Sequence, residues 1–230
     1  MFLYSLLEVS EKTTNIVKYI SIFAVAILLV LILFLSRSGK KLNTKKIAFA
    51  GICVSLSFVL SMIKVKPIQY GGSITLFSFV PIMVYAYTFG AREGFLVGFI
   101  HGLLNFIESP YILTPFTFFL DYLLPFSTVG IMGFFGKMKE EKTLKGVVLG
   151  SVCVFTARFF FHFLSGIIFF SNGAIWVSLP SWAMSNAVAY SFIYQCVYVP
   201  ADAVLAIIGL IVLAKTHTLA RLKKIMLKNS

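Results

Sequence analysis

Charge is scarce in this chain. Only 12% of the 230 residues are charged and only 8 are acidic, whereas 59% are hydrophobic. A mean hydropathy of +0.95 lies far above that of a soluble globular domain, so the chain is read as an integral membrane protein. Cysteine is equally sparse: Cys53, Cys153 and Cys196 are too scattered for a metal site or a disulfide framework and are read as apolar thiols. No GxxxxGK[ST] loop occurs, so the chain cradles no nucleotide phosphates of its own. Two carboxylates at one depth, as an intramembrane aspartyl protease needs, are missing as well. Asp121 and Asp202 are offset by about ten residues of rise. Ser165 sits one turn from His162 on the same helix, a poor geometry for nucleophilic attack, so catalysis is disfavoured.

What remains is a set of apolar runs. They fall at about 17 to 36, 47 to 63, 73 to 89, 94 to 108, 114 to 135, 146 to 171 and 183 to 214, most long enough to cross roughly 30 Å of hydrocarbon. Glu8 and Glu11 precede the first run where a signal peptide carries basic residues, and no small-residue cleavage site follows it. The expected architecture is therefore all-α, with residues 1–43 forming an extra transmembrane helix and basic linker ahead of a six-helix membrane domain at 44–230. The net charge of +12 does not point to nucleic acid, because its distribution alternates. Five basic residues lie in Arg37 to Lys46, four in Lys137 to Lys145 and five from Lys215 onward, while the intervening loops hold few. That positive-inside pattern places the N-terminus outside and the C-terminus in the cytoplasm of a multi-pass cell-membrane protein.

A charge at mid-membrane costs about 3 kcal/mol on insertion scales, so polar side chains inside the spans require partners, a cavity or a ligand. Counted at 1.5 Å per residue, Asp121 lies roughly 12 Å from the outer surface, His162 roughly 14 Å, Tyr190 near 12 Å and His101 near 11 Å. Four helices thus bring polar groups to one level in the outer half of the bilayer, as a pocket loaded from outside requires. Helical spacing groups Thr114, Thr117, Asp121 and Thr128 on one stripe and Arg158, His162, Ser165, Gly166 and Phe169 on another. Asn186, Tyr190, Tyr194 and Tyr198 form a third stripe, and His101, Asn105 and Glu108 a fourth. Asp121 and His162 are read as pocket residues, Asp121 alternatively as a structural partner of Arg158. Arg158 fits an ion pair as well as a ligand contact, and His101 fits a packing histidine as well as a pocket residue. Asp202 is expected to bond the kink at Pro200 or face a partner. Gly94, Gly98 and Gly102 have the spacing of close helix packing, and Ala48, Gly51 and Ser55 offer a smooth face for packing or for another membrane protein.

Four segments together, QYGGSITLFSFVPIM, FFLDYLLPFSTVGIMGFFGK, RFFFHFLSGIIFF and AVAYSFIYQCVYVPADAV, resemble the thiamine-specific substrate-binding (S) component of energy-coupling-factor (ECF) transporters. The likeness runs from about Thr44 to the C-terminus. It implies a six-helix bundle with a vitamin pocket near the outer face, capped by the loop between its first two helices. It also implies partners: a transmembrane ECF scaffold and two ATPase subunits, to which the bundle delivers its vitamin by toppling in the bilayer. Carried over by motif, Asp121 supplies the pocket carboxylate, Tyr122 the aromatic beside it and Tyr111 an aromatic of the outer loop. Arg158 takes a basic position, His162 that of the pocket histidine, Gly166 a tightly packed position, Phe170 a stacking aromatic and Tyr190 a hydrogen-bonding tyrosine. Gln195 stands where relatives carry Asn. Phe170 replaces a tryptophan of some relatives, whose stacking Trp176 or Trp182 would supply. The face that docks the scaffold is partly kept as Ala48 and Gly51, with Ile52 where a small residue is expected. A carboxylate, aromatics and hydrogen-bonding groups suit thiamine, whose thiazolium is a permanent cation and whose aminopyrimidine is a flat donor and acceptor. The resemblance implies no cofactor beside the transported ligand. An S component for another vitamin or a pyrimidine is the alternative, and an intramembrane enzyme using Asp121 and His162 a more distant one.

Overall fold

The structure, a computed structural model, describes residues 44–67, 72–171, 179 and 181–227. The expected helix at 17 to 36 and Trp176 lie outside the described residues. Helices dominate: α1 (Thr44–Met62), α2 (Phe79–Phe89), α3 (Ala91–Glu108), α4 (Pro115–Phe135), α5 (Thr143–Ser171), a short α6 (Ser181–Met184), α7 (Ala187–Lys215) and α8 (Thr218–Leu227). Among them α1, α4, α5 and α7 are long and apolar enough to cross a bilayer. The fold is that of an all-helical membrane protein, with α5 and α7 packed along each other and α3 lodged against α4.

Those contacts follow from small residues. A Cβ on Gly98 would meet the Phe126 carbonyl oxygen at 2.2 Å, and one on Gly102 the Tyr122 carbonyl oxygen at 2.3 Å. The glycine spacing of α3 is thus consumed in backbone-to-backbone approach with α4, as small-residue faces allow. Gly90, at φ 108° and bonded through its N–H to the Ala86 carbonyl, turns the chain from α2 into α3.

The run at 73 to 89 is not one helix. Ser73–Thr75 form strand β2, paired antiparallel with β1 (Lys64–Pro67) in the register Lys64↔Thr75, Lys66↔Ile74 and Pro67↔Ser73. The Leu76 N–H donates to the Ile63 carbonyl at 3.1 Å. Thr75 and Ser78 exchange a hydroxyl hydrogen bond of 2.6 Å, and Phe77 takes φ 56° before α2 begins. Hydroxyls that bond locally compete with helix formation, so an apolar run becomes a hairpin and an eleven-residue helix. The hairpin lies between α1 and α2, the place where the resemblance puts a capping loop. Lys64 pairs with Glu108 at 3.1 Å and ties it to the end of α3.

At the other end of the bundle, His217 at φ 57° breaks α7 from α8. Leu219 of α8 is fully buried, and Lys223 Nζ donates to the Gly136 carbonyl at 2.5 Å, holding this amphipathic helix against the loop after α4.

Candidate functional site

Asp121 sits in a widened turn. Residues Phe119–Leu123 of α4 are wound as a π-helical turn, a local defect common at functional sites. Its carboxylate receives two groups from α5: His162 Nδ1 lies 3.2 Å from Oδ1, and Ser165 Oγ donates to Oδ2 at 2.5 Å. The Asp121 side chain stays 21% exposed whereas His162 is 9% exposed, so the carboxylate edge remains reachable from the cavity. The rest of its stripe does other work. Thr114 and Thr117 form a capping box at the start of α4, and Thr128 Oγ1 donates to the Pro125 carbonyl at 2.6 Å. Asn186 likewise caps α7, accepting from the Val188 N–H at 2.8 Å. Thr114, Thr117 and Asn186 satisfy backbone groups at helix ends, and Thr128 bonds a carbonyl within α4.

Arg158 does not pair with Asp121. One turn deeper than His162, its Nη1 donates to Asp202 Oδ2 at 2.8 Å, and the other Asp202 oxygen accepts from the Thr75 N–H at 2.8 Å. Asp202, expected to serve the Pro200 kink or a partner, instead joins α5, α7 and strand β2. The guanidinium lies 4.3 Å from the centroid of the Phe79 ring and 5.5 Å from that of Phe126, where the electron-rich ring faces add to its stabilisation.

Around these groups lies a narrow cavity of about 60 Å³, part of it open to solvent. Tyr111, Asp121, Tyr122, Arg158, His162, Gly166 and Gln195 all line it, together with His101 and Asn105 of α3 and residues of the hairpin such as Gly72 and Thr75. Tyr122 shapes the outer rim: its hydroxyl donates to the Ser109 carbonyl at 2.6 Å and accepts from the Tyr111 N–H at 3.0 Å. Gly166 is required by close approach, since a Cβ there would lie 2.3 Å from Ser191 Oγ and 3.2 Å from Gln195 Nε2. Gln195 Nε2 donates to the His162 carbonyl at 3.0 Å, which leaves its carbonyl oxygen for the cavity.

Phe170 and Tyr190 are elsewhere. Their rings stack on each other at 4.4 Å, Tyr190 is fully buried, and neither lines the cavity. Phe169 does line it, stacked on Tyr111 at 5.2 Å. Successive helical residues point about 100° apart, so only one of the two phenylalanines can face inward. Trp182 is 65% exposed and away from the cavity. Ala48 and Gly51 are exposed on α1, and nothing among the described residues lies within 4 Å of a Cβ built on Gly51.

Six buried side-chain nitrogen and oxygen atoms lack a hydrogen-bond partner among the described residues. Both ring nitrogens of His101, Arg158 Nε, His162 Nε2 and Gln195 Oε1 are five of them, and all four residues line this one cavity. Buried polar atoms are rarely left unpaired, so their convergence marks a chamber that receives something polar. A membrane-embedded helical bundle enclosing a small chamber of polar and aromatic side chains is the build of a solute-binding transport protein.

Comparison with known proteins narrows that class. The chain belongs to the thiamine transporter protein family (Thia_YuaJ), which it matches over residues 47–222. It is 31% identical over 149 residues to the thiamine transporter ThiT of Bacillus subtilis (strain 168), covering 60% of this chain and 73% of the relative. A solved structure of ThiT from Listeria monocytogenes shares the fold, with a TM-score of 0.63 and 24% identity over 74% of this chain and 93% of that one. The family is one of transporters, and this multi-pass membrane protein is not an enzyme.

Proposed function

We propose that the protein is the substrate-capture component of an ECF-type importer, binding thiamine or a close analogue in an outward-facing cavity and passing it to a transmembrane scaffold driven by two ATPases. The convergence of unpartnered polar atoms on one chamber beside Asp121 carries this reading. Asp121 is the acceptor for the ligand's cationic and amine groups, with His162 and Ser165 holding its carboxylate in place. Tyr111 and Phe169 offer aromatic faces, and Gln195 and His162 offer hydrogen bonds. Such contacts strengthen where water is excluded. Phe170 and Tyr190 support the wall from behind.

The N-terminus is outside and the C-terminus cytoplasmic, so the hairpin side of the bundle faces the medium. The exposed smooth face of α1 around Ala48 and Gly51 is the docking surface for the scaffold. The test is calorimetry with the purified protein: thiamine binds tightly, and Asp121→Asn or His162→Ala weakens it by roughly 10- to 100-fold, the loss of a hydrogen bond to a charged group. Unchanged affinity in both variants, with folding preserved, would remove the site assignment. Uptake that persists without any ATPase partner would remove the ECF part of the proposal.

A further inference from the structure

His101 is the polar residue that neither the recognised motifs nor the Asp121 cluster absorbs. It lies on α3 with no exposed surface, and neither ring nitrogen has a hydrogen-bond partner among the described residues. Its ring is edge-on to Phe126 at 5.0 Å and to Phe79 at 6.4 Å, the same two rings over which the Arg158 guanidinium lies. His101, Phe79, Phe126 and Arg158 therefore share one region of the cavity wall, on the side of Arg158, which lies one helical turn deeper along α5 than His162. Asn105, one turn outward on α3, lines the cavity as well.

The two regions differ in chemistry. Around Asp121 a carboxylate offers acceptor oxygens, whereas at the floor Arg158 Nε is a donor and the imidazole carries one nitrogen of each kind. An imidazole that serves only as packing between aromatic rings forfeits its hydrogen bonds with water and gains none in return. The geometry points to a second polar subsite at the cavity floor, in which His101, beside Arg158 Nε, hydrogen-bonds an uncharged polar group of the ligand distinct from the group that Asp121 answers. This rests on the thiamine reading above, and it turns His101 into a residue that sets which ligands are accepted.

A thermodynamic cycle tests it. Thiamine, an analogue lacking the hydroxyl of its side chain and an analogue with the pyrimidine amine replaced are titrated into the wild-type protein, His101→Phe and His101→Gln. Phenylalanine keeps the ring and its packing; glutamine keeps hydrogen-bonding capacity. The expected result is a loss of roughly tenfold for thiamine with His101→Phe, partial recovery with His101→Gln, and no further loss in His101→Phe for the one analogue that lacks the group His101 contacts. Unchanged thiamine affinity in His101→Phe, or an equal loss for all three ligands, would overturn the subsite. Failure of the wild-type protein to bind thiamine would instead defeat the underlying reading, so the two failures are distinguishable.

Discussion

Replacing Asp202 separates two contributions that its carboxylate makes at once. Asp202→Asn keeps an oxygen for the Thr75 N–H, now 2.8 Å away, but removes the charge that faces Arg158. The two side chains are only 7% and 3% exposed, and removing one partner of such a buried pair costs about 3–5 kcal/mol because the other charge is left uncompensated. Arg158 also borders the cavity, where water can approach its guanidinium, so the lower end of that range, about 3 kcal/mol, is the expected cost. At about 2–4 °C per kcal/mol for a chain of this size, the melting temperature of the detergent-solubilised protein falls on the order of 10 °C. Asp202→Ala also orphans the Thr75 N–H and adds about 1–3 kcal/mol. Arg158→Gln combined with Asp202→Asn recovers most of the loss, since two neutral amides need no counter-charge. Thermal unfolding of the wild type, Asp202→Asn, Arg158→Gln and the double variant measures the cycle. An unchanged melting temperature for Asp202→Asn, or strictly additive losses in the double variant, would refute the ion pair as the link between α5, α7 and the hairpin.

Gly166→Ala forces a Cβ within 2.3 Å of Ser191 Oγ, so α5 and α7 must part; a loss of about 1–3 kcal/mol is expected, and Gly166→Ala paired with Ser191→Ala restores part of it in the same melting assay. Topology is checked by labelling: in a background without Cys53, Cys153 and Cys196, a thiol reagent that does not cross membranes modifies Ser109→Cys from outside the cell and Thr216→Cys only after the membrane is opened. The reverse pattern would invert the assigned orientation.

Much of the site was legible before the fold because lipid makes polar residues conspicuous. The depths of Asp121 and His162, counted along their helices, agree with their meeting at 3.2 Å. His101 was visible too, but its two readings could be weighed only once its ring nitrogens were seen to have no hydrogen-bond partner among the described residues. The partner of Arg158 was not legible: it lies 44 positions away on another helix, and the rise along each helix says nothing about how the two are rotated toward each other. The threonine stripe of α4 misled for a related reason, since a shared face does not reveal that Thr114 and Thr117 cap the helix that carries them.

Composition and periodicity alone determined that this chain lives in a membrane and where its four long apolar helices lie, because hydrocarbon imposes that choice on each segment independently. Membership of one chamber was decided by tertiary structure. Whether Phe169 or Phe170 looks inward, whether residues 73–78 coil or pair, and which acid answers Arg158 depend on rotation and packing of neighbouring helices, which no single segment encodes.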